Sequence, residues 1–508
     1  MDRLSPEIIC MIFDYLVYNG SARRRRHGLR NFRICSTLAV VSRKWQHIIE
    51  KELFRHIRLR CTINEISQFG SIYSQPRLQA ILQWLSLRAV YQCECVGVSH
   101  DFCEYQHNAI MGALSALLQA VDGWKTTSPS LGSAQPGLLL DIATDLRESD
   151  EHLQDSSPFK QDCPRVGWST EAANYITSLS VGWSMNYLTT YRLPALFSNL
   201  QTLEINLLPV SHELEAHQSL FRVRKALIRA LRDARTSLPY LRSLAISMGV
   251  DEPRNNQFRC PDLRDEDGID ELCEAIRLLS LAVPLRELRL YRVQVSLDLF
   301  QDCRLTDMET DSTPWPLLEH VQVSFPPLAS SGIWYTEGDP ETYTGPPGPQ
   351  PFTDVELATS RDNTFHPRID LQYRNTIDPV TFNPLQAAFA RAVLRMLALR
   401  FGTLSMVIVS GDSLGVGMMD RSIRYHIGKH YHGSPAWTEQ IKKAKEADAV
   451  LNQKERVVRV EGAIEDRAVF ESMSRSKPLN RKTMFRNRPL WVPTPEITDL
   501  WMGWTMGI

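Results

Sequence analysis

The chain has 508 residues, a formal net charge of −1 and 43% hydrophobic residues. That is ordinary globular composition, enough for roughly three domains or one long array, and its balanced charge gives no global electrostatic case for nucleic acid. Ten cysteines in this length form no dense framework, so reduced thiols in an intracellular protein are expected. No apolar run approaches the roughly 20 residues that a membrane span requires. The apolar stretch Ile8 to Tyr18 is interrupted by Asp14, which argues against a secretory signal. The expected location is the cytoplasm, the nucleus or both. Arg23-Arg24-Arg25-Arg26 reads as a solvated loop, with a nuclear signal as the other reading.

In chain order, the first predicted element is a helix in LSPEIICMIFDYLVYNG. Ser5 suits the N-cap, and Pro6 the first helical position, where its missing N–H costs nothing. Glu7 lies at the positive end of the helix dipole. Ile8, Ile12 and Leu16 line one face, and Ile9, Phe13 and Val17 line a second beside it. Such a helix must bury one side in its own domain and offer the other to something else. A second amphipathic piece follows in STLAVVSRKWQHIIEKELFRHIRLR, where Leu38, Val41, Trp45 and Ile48 recur at helical spacing. Two or three short helices bury little surface on their own. A partner would add burial, at about 25 cal/mol per Å² of apolar surface.

Leu4-Ser5-Pro6-Glu7-Ile8, Ile12-Phe13-Asp14-Tyr15-Leu16 and Leu38-Ala39-Val40-Val41-Ser42-Arg43-Lys44-Trp45, in that order, resemble an F-box. Glu52-Leu53-Phe54-Arg55-His56-Ile57-Arg58-Leu59 resembles the exit from the F-boxes of the large fungal families. The likeness covers residues 4–54, and the segment between Leu16 and Leu38 is longer than usual in the family. The resemblance implies an adaptor-binding domain over residues 1–54. It would dock on the Skp adaptor, and through it on the cullin, of an SCF (Skp–cullin–F-box) ubiquitin ligase. Leu4, Pro6, Glu7, Ile8, Ile12, Leu16, Leu38, Val41 and Trp45 are the candidate adaptor-binding residues.

Beyond residue 54 one pattern returns, L-x-x-L-x-L. Clear copies begin at Ile176, Leu200, Leu241, Leu285 and Leu318, and weaker ones lie at His56–Arg60, Leu85–Val90, Leu138–Ala143 and Leu404–Val409. Each reads as a short strand with one buried face. Helical patterns lie between them, over His212–Thr236, Asp265–Ala282, Gln106–Val121 and Leu385–Arg400. Strand–helix alternation of this kind predicts an α/β protein: a short helical F-box followed by an irregular leucine-rich-repeat-like solenoid. A doubly wound α/β sheet is the competing architecture. The middle residues of the clear copies are spaced 24, 41, 44 and 33 apart, against roughly 20–29 for regular leucine-rich repeats.

The array is assigned to residues 55–325, a Pro/Gly-rich loop or partly disordered insertion to 326–367, a last repeat to 368–430 and a polar cap or tail to 431–508. The tail contains a predicted helix over Pro435–Val450 and the tryptophans Trp491, Trp501 and Trp504.

Two stretches resemble chemical sites. Gly411-Asp412-Ser413-Leu414-Gly415 fits the G-x-S-x-G nucleophile elbow. An elbow serine heads a helix and is followed by an acid and then a histidine. Here only His426, His430 and His432 remain downstream, too close to Ser413 for separate acid and histidine elements. The stretch reads instead as a turn after the last strand. Cys93, Cys95, His100, Cys103 and His107 lack a recurring zinc spacing and read as buried thiols and loop histidines. No catalytic group, metal or cofactor is therefore assigned.

The function expected is recruitment of a target protein to the ligase, with no nucleic-acid or membrane partner. The alternatives are a protein-interaction scaffold outside the ubiquitin system, or a serine hydrolase using Ser413. In L-x-x-L-x-L the alternate residues face outward. These are Ser178, Ser180 and Gly182; Thr202, Glu204 and Asn206; Ser243, Ala245 and Ser247; Glu287, Arg289 and Tyr291; His320, Gln322 and Ser324. Glu204, Glu287, Arg289, Tyr291 and His320 are the candidate target-binding residues, because Arg and Tyr are frequent interface hot spots.

Overall fold

The computed structural model describes residues 5, 7–9, 11, 12, 40–90, 100–122, 124, 137–145, 175–182, 196–207, 215–248, 260–301, 315–338, 374, 376–410, 419–428 and 457–465. The chain divides into two compact units, Met1–Val181 and Gly182–Ile508. The class is α/β, as the strand–helix alternation predicts.

In the first unit, helical residues 7–9 and 11–12 meet helix α1 (Arg43–Arg55). Ser42 caps α1, its hydroxyl accepting from the Trp45 amide at 3.4 Å. The helix then runs without a linker into strand β1 (His56–Arg60). Helices α2 (Ile63–Ile72), α3 (Pro76–Gln79) and α4 (His100–Asp122) lie among strands β2 (Trp84–Val90), β3 (Leu138–Asp145) and β4 (Ile176–Gly182). The four strands are parallel and lie in chain order. Leu59, Leu85, Leu87, Leu140, Ile142, Leu179 and Val181 form their buried face. The Tyr73 ring stacks on Phe69, and its hydroxyl donates to the Phe54 carbonyl at 2.9 Å. That bond ties the end of α1 to the end of α2.

The second unit repeats the scheme. Parallel strands β5 (Thr202–Leu207), β6 (Ser243–Met248), β7 (Glu287–Tyr291), β8 (His320–Phe325) and β11 (Phe401–Ser410) are neighbours in that order. Strands β12 (Met419–Gly428) and β13 (Val457–Glu465) extend the sheet antiparallel. Helices α5 (Glu215–Ser237), α6 (Glu271–Ala282) and α7 (Pro379–Arg395) occupy the connections. All nine L-x-x-L-x-L copies fall on strands. Their inward residues, among them Leu203, Ile205, Leu244, Ile246, Leu288, Leu290, Val321 and Val323, are buried. A doubly wound sheet reverses its strand order at a switch point. Among the described strands of each unit, sheet order follows chain order throughout.

A buried polar node joins the connections of the second unit. Arg224 of α5 forms an ion pair with Asp270, both almost wholly buried. Asp270 caps α6, accepting from the Leu272 and Cys273 amides at 3.1 and 3.2 Å. Asp298 accepts from the Asp270 amide at 2.9 Å, and Arg277 donates to the Asp298 carbonyl at 3.1 Å. Tyr335 donates to the Val295 carbonyl at 2.8 Å. Burial alone would raise the Asp270 carboxyl; the Arg224 guanidinium and the Cys273 amide outweigh it and hold the carboxyl below its ordinary range.

Two expectations need correction here. The start of the Pro/Gly-rich segment is no loose loop: 326–330 and 334–336 are buried. Thr336–Glu337 (β9) pairs with Thr376–Ile377 (β10), and the Tyr335 ring packs edge-on against Phe325 and Phe382. Gly332 has φ 75°, and a Cβ there would run into the Cys260 carbonyl. Here the apolar residues Leu328, Trp334 and Tyr335 outweigh the turn-forming composition. Helix α7 begins at Pro379 rather than Leu385, because Asp378 caps it and Pro379 takes the first helical position, with Pro384 tolerated inside. Residues 339–367, the helix expected over 435–450 and the three C-terminal tryptophans lie outside the described residues.

Asp270→Ala is expected to cost about 3–5 kcal/mol, because it leaves a buried guanidinium without its carboxylate. Arg286→Ala, which removes one exposed partner of Glu319, costs about 1 kcal/mol or less. Urea unfolding of both variants against the wild type measures the contrast. The folded Asp270 carboxyl titrates below its unfolded value of about 3.9, so its contribution is present above that pH and is lost as pH falls through the folded value. The wild-type advantage over Asp270→Ala therefore narrows only in acid.

Candidate protein-binding surfaces

The helix pair at the N-terminus has a core of its own. Ile9, Trp45 and Ile49 are buried, with Ile12, Ile48 and Leu53 packed against them. Ser5 starts the first turn, its carbonyl accepting from the Ile9 amide at 3.1 Å. Glu7 is exposed, and its carboxyl is held below the ordinary range by its backbone hydrogen bond, then by the Ser5 hydroxyl and Lys44.

The pair sorts the candidate residues by side. Trp45, expected at the adaptor surface, is only 2% exposed; its ring forms the centre of the pair's own core, which corrects that assignment. Ile12 is partly buried against the same core. Ile8 and Val41 are exposed, and so are Met11 and Val40, the latter at 83%, neither of which was among the candidate residues. Leu4, Pro6, Leu16 and Leu38 lie outside the described residues. Four exposed apolar side chains thus lie within five residues of this three-residue core in the sequence. Residues turned away from a helix stripe were the signal for Met11 and Val40, since the pair is apolar on two sides.

The second surface is the outer face of the sheet in the second unit. Register aligns its side chains in rows. Thr202, Ser243, Glu287 and His320 form one row, Glu204, Ala245, Arg289 and Gln322 the next, and Asn206, Ser247, Tyr291 and Ser324 the third. Glu204, Arg289, Tyr291, His320 and Gln322 are exposed, and Glu287 is half-buried. Glu287 accepts from the Ser243 hydroxyl at 2.8 Å and pairs with Arg289. Glu204 accepts from Asn206 at 2.8 Å. The Arg292 guanidinium lies 5.6 Å from the Tyr291 ring centre, with Arg292 at φ 52° where the strand ends. Ser324 and Gly182, expected to face outward into solvent, are buried.

A short turn precedes each of the five parallel strands of the second unit. Phe197–Leu200, Leu238–Leu241, Trp315–Leu318 and Met396–Leu399 are turns in which the last amide donates to the first carbonyl, at 3.0 to 3.3 Å. Val283–Leu285 is the same device one residue shorter. Both ends of every turn are buried and anchor the strand that follows. The signal was legible as an apolar residue two or three positions before the copies that begin at Leu200, Leu241, Leu285 and Leu318.

Among the described residues no group of His, Cys, Asp and Glu could hold a metal. Cys61 and Cys260 have thiols pushed up to about 12, mainly by burial. Burial, reinforced by Asp270, pushes the Cys273 thiol well above its ordinary value. Such thiols are poor nucleophiles. Ser413, Cys93, Cys95, His430 and His432 lie outside the described residues, and of His100, Cys103, His107 and His426 only the backbone is described. No described helix is long and apolar enough to cross a membrane. Compared with known proteins, the chain matches no family model and no curated protein sequence.

The division into core and surface predicts unequal effects in the helix pair. Trp45→Ala removes a core ring and should cost about 3–5 kcal/mol locally, whereas Val40→Ala changes stability by about 0.5 kcal/mol or less. Amide hydrogen exchange across residues 43–55 is the readout: faster in the first variant, unchanged in the second.

Proposed function

We propose that the chain is a substrate-recruiting subunit of an SCF-type ubiquitin ligase. The F-box-like helix pair docks on the Skp adaptor, and an irregular leucine-rich-repeat-like solenoid holds a target protein. The observation that carries this reading is the apolar surface of Ile8, Met11, Val40 and Val41 beside the Ile9–Trp45–Ile49 core. An isolated helix pair gains little from leaving such groups in water, and a partner that covers them supplies the missing burial. The reading also rests on the resemblance of residues 4–54 to an F-box. The solenoid reading is supported by parallel strands in chain order, an apolar inner face and an open outer face.

Such a subunit contributes proximity rather than a catalytic group. It brings the target close to the ubiquitin-conjugating enzyme, and the chemistry happens there. Arg289 and Tyr291 are the proposed centre of target recognition, since both are exposed on one strand and of the types that dominate interfaces.

Co-expression of the full chain with the Skp adaptor, followed by affinity purification, tests the proposal. The wild type should retain the adaptor. Ile8→Asp and Val41→Asp should each weaken it by about 2 kcal/mol or more, roughly thirtyfold, by placing a carboxylate in an apolar contact. Arg289→Ala and Tyr291→Ala should keep the adaptor while losing the target partners found by proximity labelling. Failure of the wild type to retain the adaptor would leave a scaffold outside the ubiquitin system as the better reading.

A further inference from the structure

The residue just before each of the five parallel strands of the second unit forms a row of its own. The amide of Arg242 donates to the carbonyl of Gln201, that of Arg286 to Arg242, that of Glu319 to Arg286 and that of Arg400 to Glu319, all at 2.7 to 2.8 Å. Three arginines and one glutamate therefore stand side by side along the edge where the strands begin. Their guanidinium groups are exposed. The single carboxylate is already shared: Glu319 lies 3.1 Å from Arg286 and 3.4 Å from Arg400. Arg242 has no carboxylate partner among the described residues.

The turns that precede the strands place apolar tips beside this row. Tyr240, Leu317 and Leu397 are all exposed, Leu397 at 83%. Each sits in a turn whose two ends are buried, so the tip is held in place rather than free to fold inward. Neighbouring strands are about 4.8 Å apart, so the tips from β6 to β11 span about 15 Å, the reach of some five extended residues.

We propose that this edge is a docking site for an acidic protein segment carrying leucine or aromatic anchors. The excess of guanidinium over carboxylate selects acidic groups, for which the planar fork of arginine is suited. The fixed apolar tips select anchors that remove them from water. Glu319 in the middle of the row and the apolar tips disfavour the phosphate backbone of a nucleic acid. The same carboxylate disfavours an anionic lipid surface. The site lies at the strand starts, apart from the outer-face residues Arg289 and Tyr291, and it does not depend on adaptor docking.

Selection of a phage-displayed random peptide library on the intact chain provides the test. The expected outcome is enrichment of peptides with Glu or Asp beside Leu, Phe or Trp. The most enriched peptide, made with a fluorophore, should bind roughly tenfold more weakly to Arg242→Glu/Arg400→Glu, and should also weaken in about 0.5 M salt. Leu397→Asp, a change at one exposed tip, should weaken it as well; Tyr291→Ala should not. Thermal melting matched to the wild type confirms that each variant is folded. Absence of enrichment, peptides without acidic residues, or unchanged affinity in both folded edge variants overturns the proposal. So does sedimentation of the wild type with phosphatidylserine vesicles that is lost in Leu397→Asp, which would assign the edge to a lipid surface.

Discussion

The ion pair between Arg224 and Asp270 is the contact on which the second unit depends. Asp270 alone meets three obligations: it balances a buried guanidinium, satisfies two amides at the start of α6, and through its own amide holds Asp298. Asp298 in turn fixes the stretch after β7, and Tyr335 brings the segment after β8 to the same place. Four successive connections of unequal length thus converge on one node. Removing one member leaves others buried and unpaired, so the node is costly to break even though an apolar replacement of the whole could be as stable. It offers a physical reason why strand spacing can vary from 33 to 44 residues across this region while the strands stay in register.

That rigidity matters because both proposed surfaces of the second unit are made of rows. Rows exist only if neighbouring strands hold register, since a slip of one residue would turn each outward side chain to the inner face. The outer face combines Arg289, Tyr291 and His320, and the starting edge combines arginines with apolar tips. The first unit uses different means. Its helix pair has a small core and is tied to the sheet by continuity of α1 with β1 and by the Tyr73–Phe54 bond.

The strands were the most legible part of the chain. A buried face with a two-residue period leaves a mark in sequence that survives irregular spacing, and even weak copies such as His56–Arg60 carry it. Helix starts were less legible where the cap lies outside the apolar stripe, as at Asp378, or where a turn precedes it, as before Asp270. Trp45 shows why the candidate site could not be sorted from sequence. A helix apolar on two sides gives the same periodicity for the core and for the exposed side, and only packing decides between them. The starting-edge arginines escaped for a related reason: they lie next to leucines in sequence, and their common position appears only when five strands are brought into register.

Under the proposed function the N-terminal helix pair, rather than the sheet, meets the adaptor. Site-specific photocrosslinking addresses it directly. Benzoylphenylalanine placed at Val40 or at Tyr291 of the full chain leaves the helix-pair core untouched, because both side chains are exposed. Irradiation with the purified Skp adaptor is predicted to give a crosslink from position 40 and none from position 291. A crosslink from position 291 alone, or from neither position, would rule out docking through the helix pair.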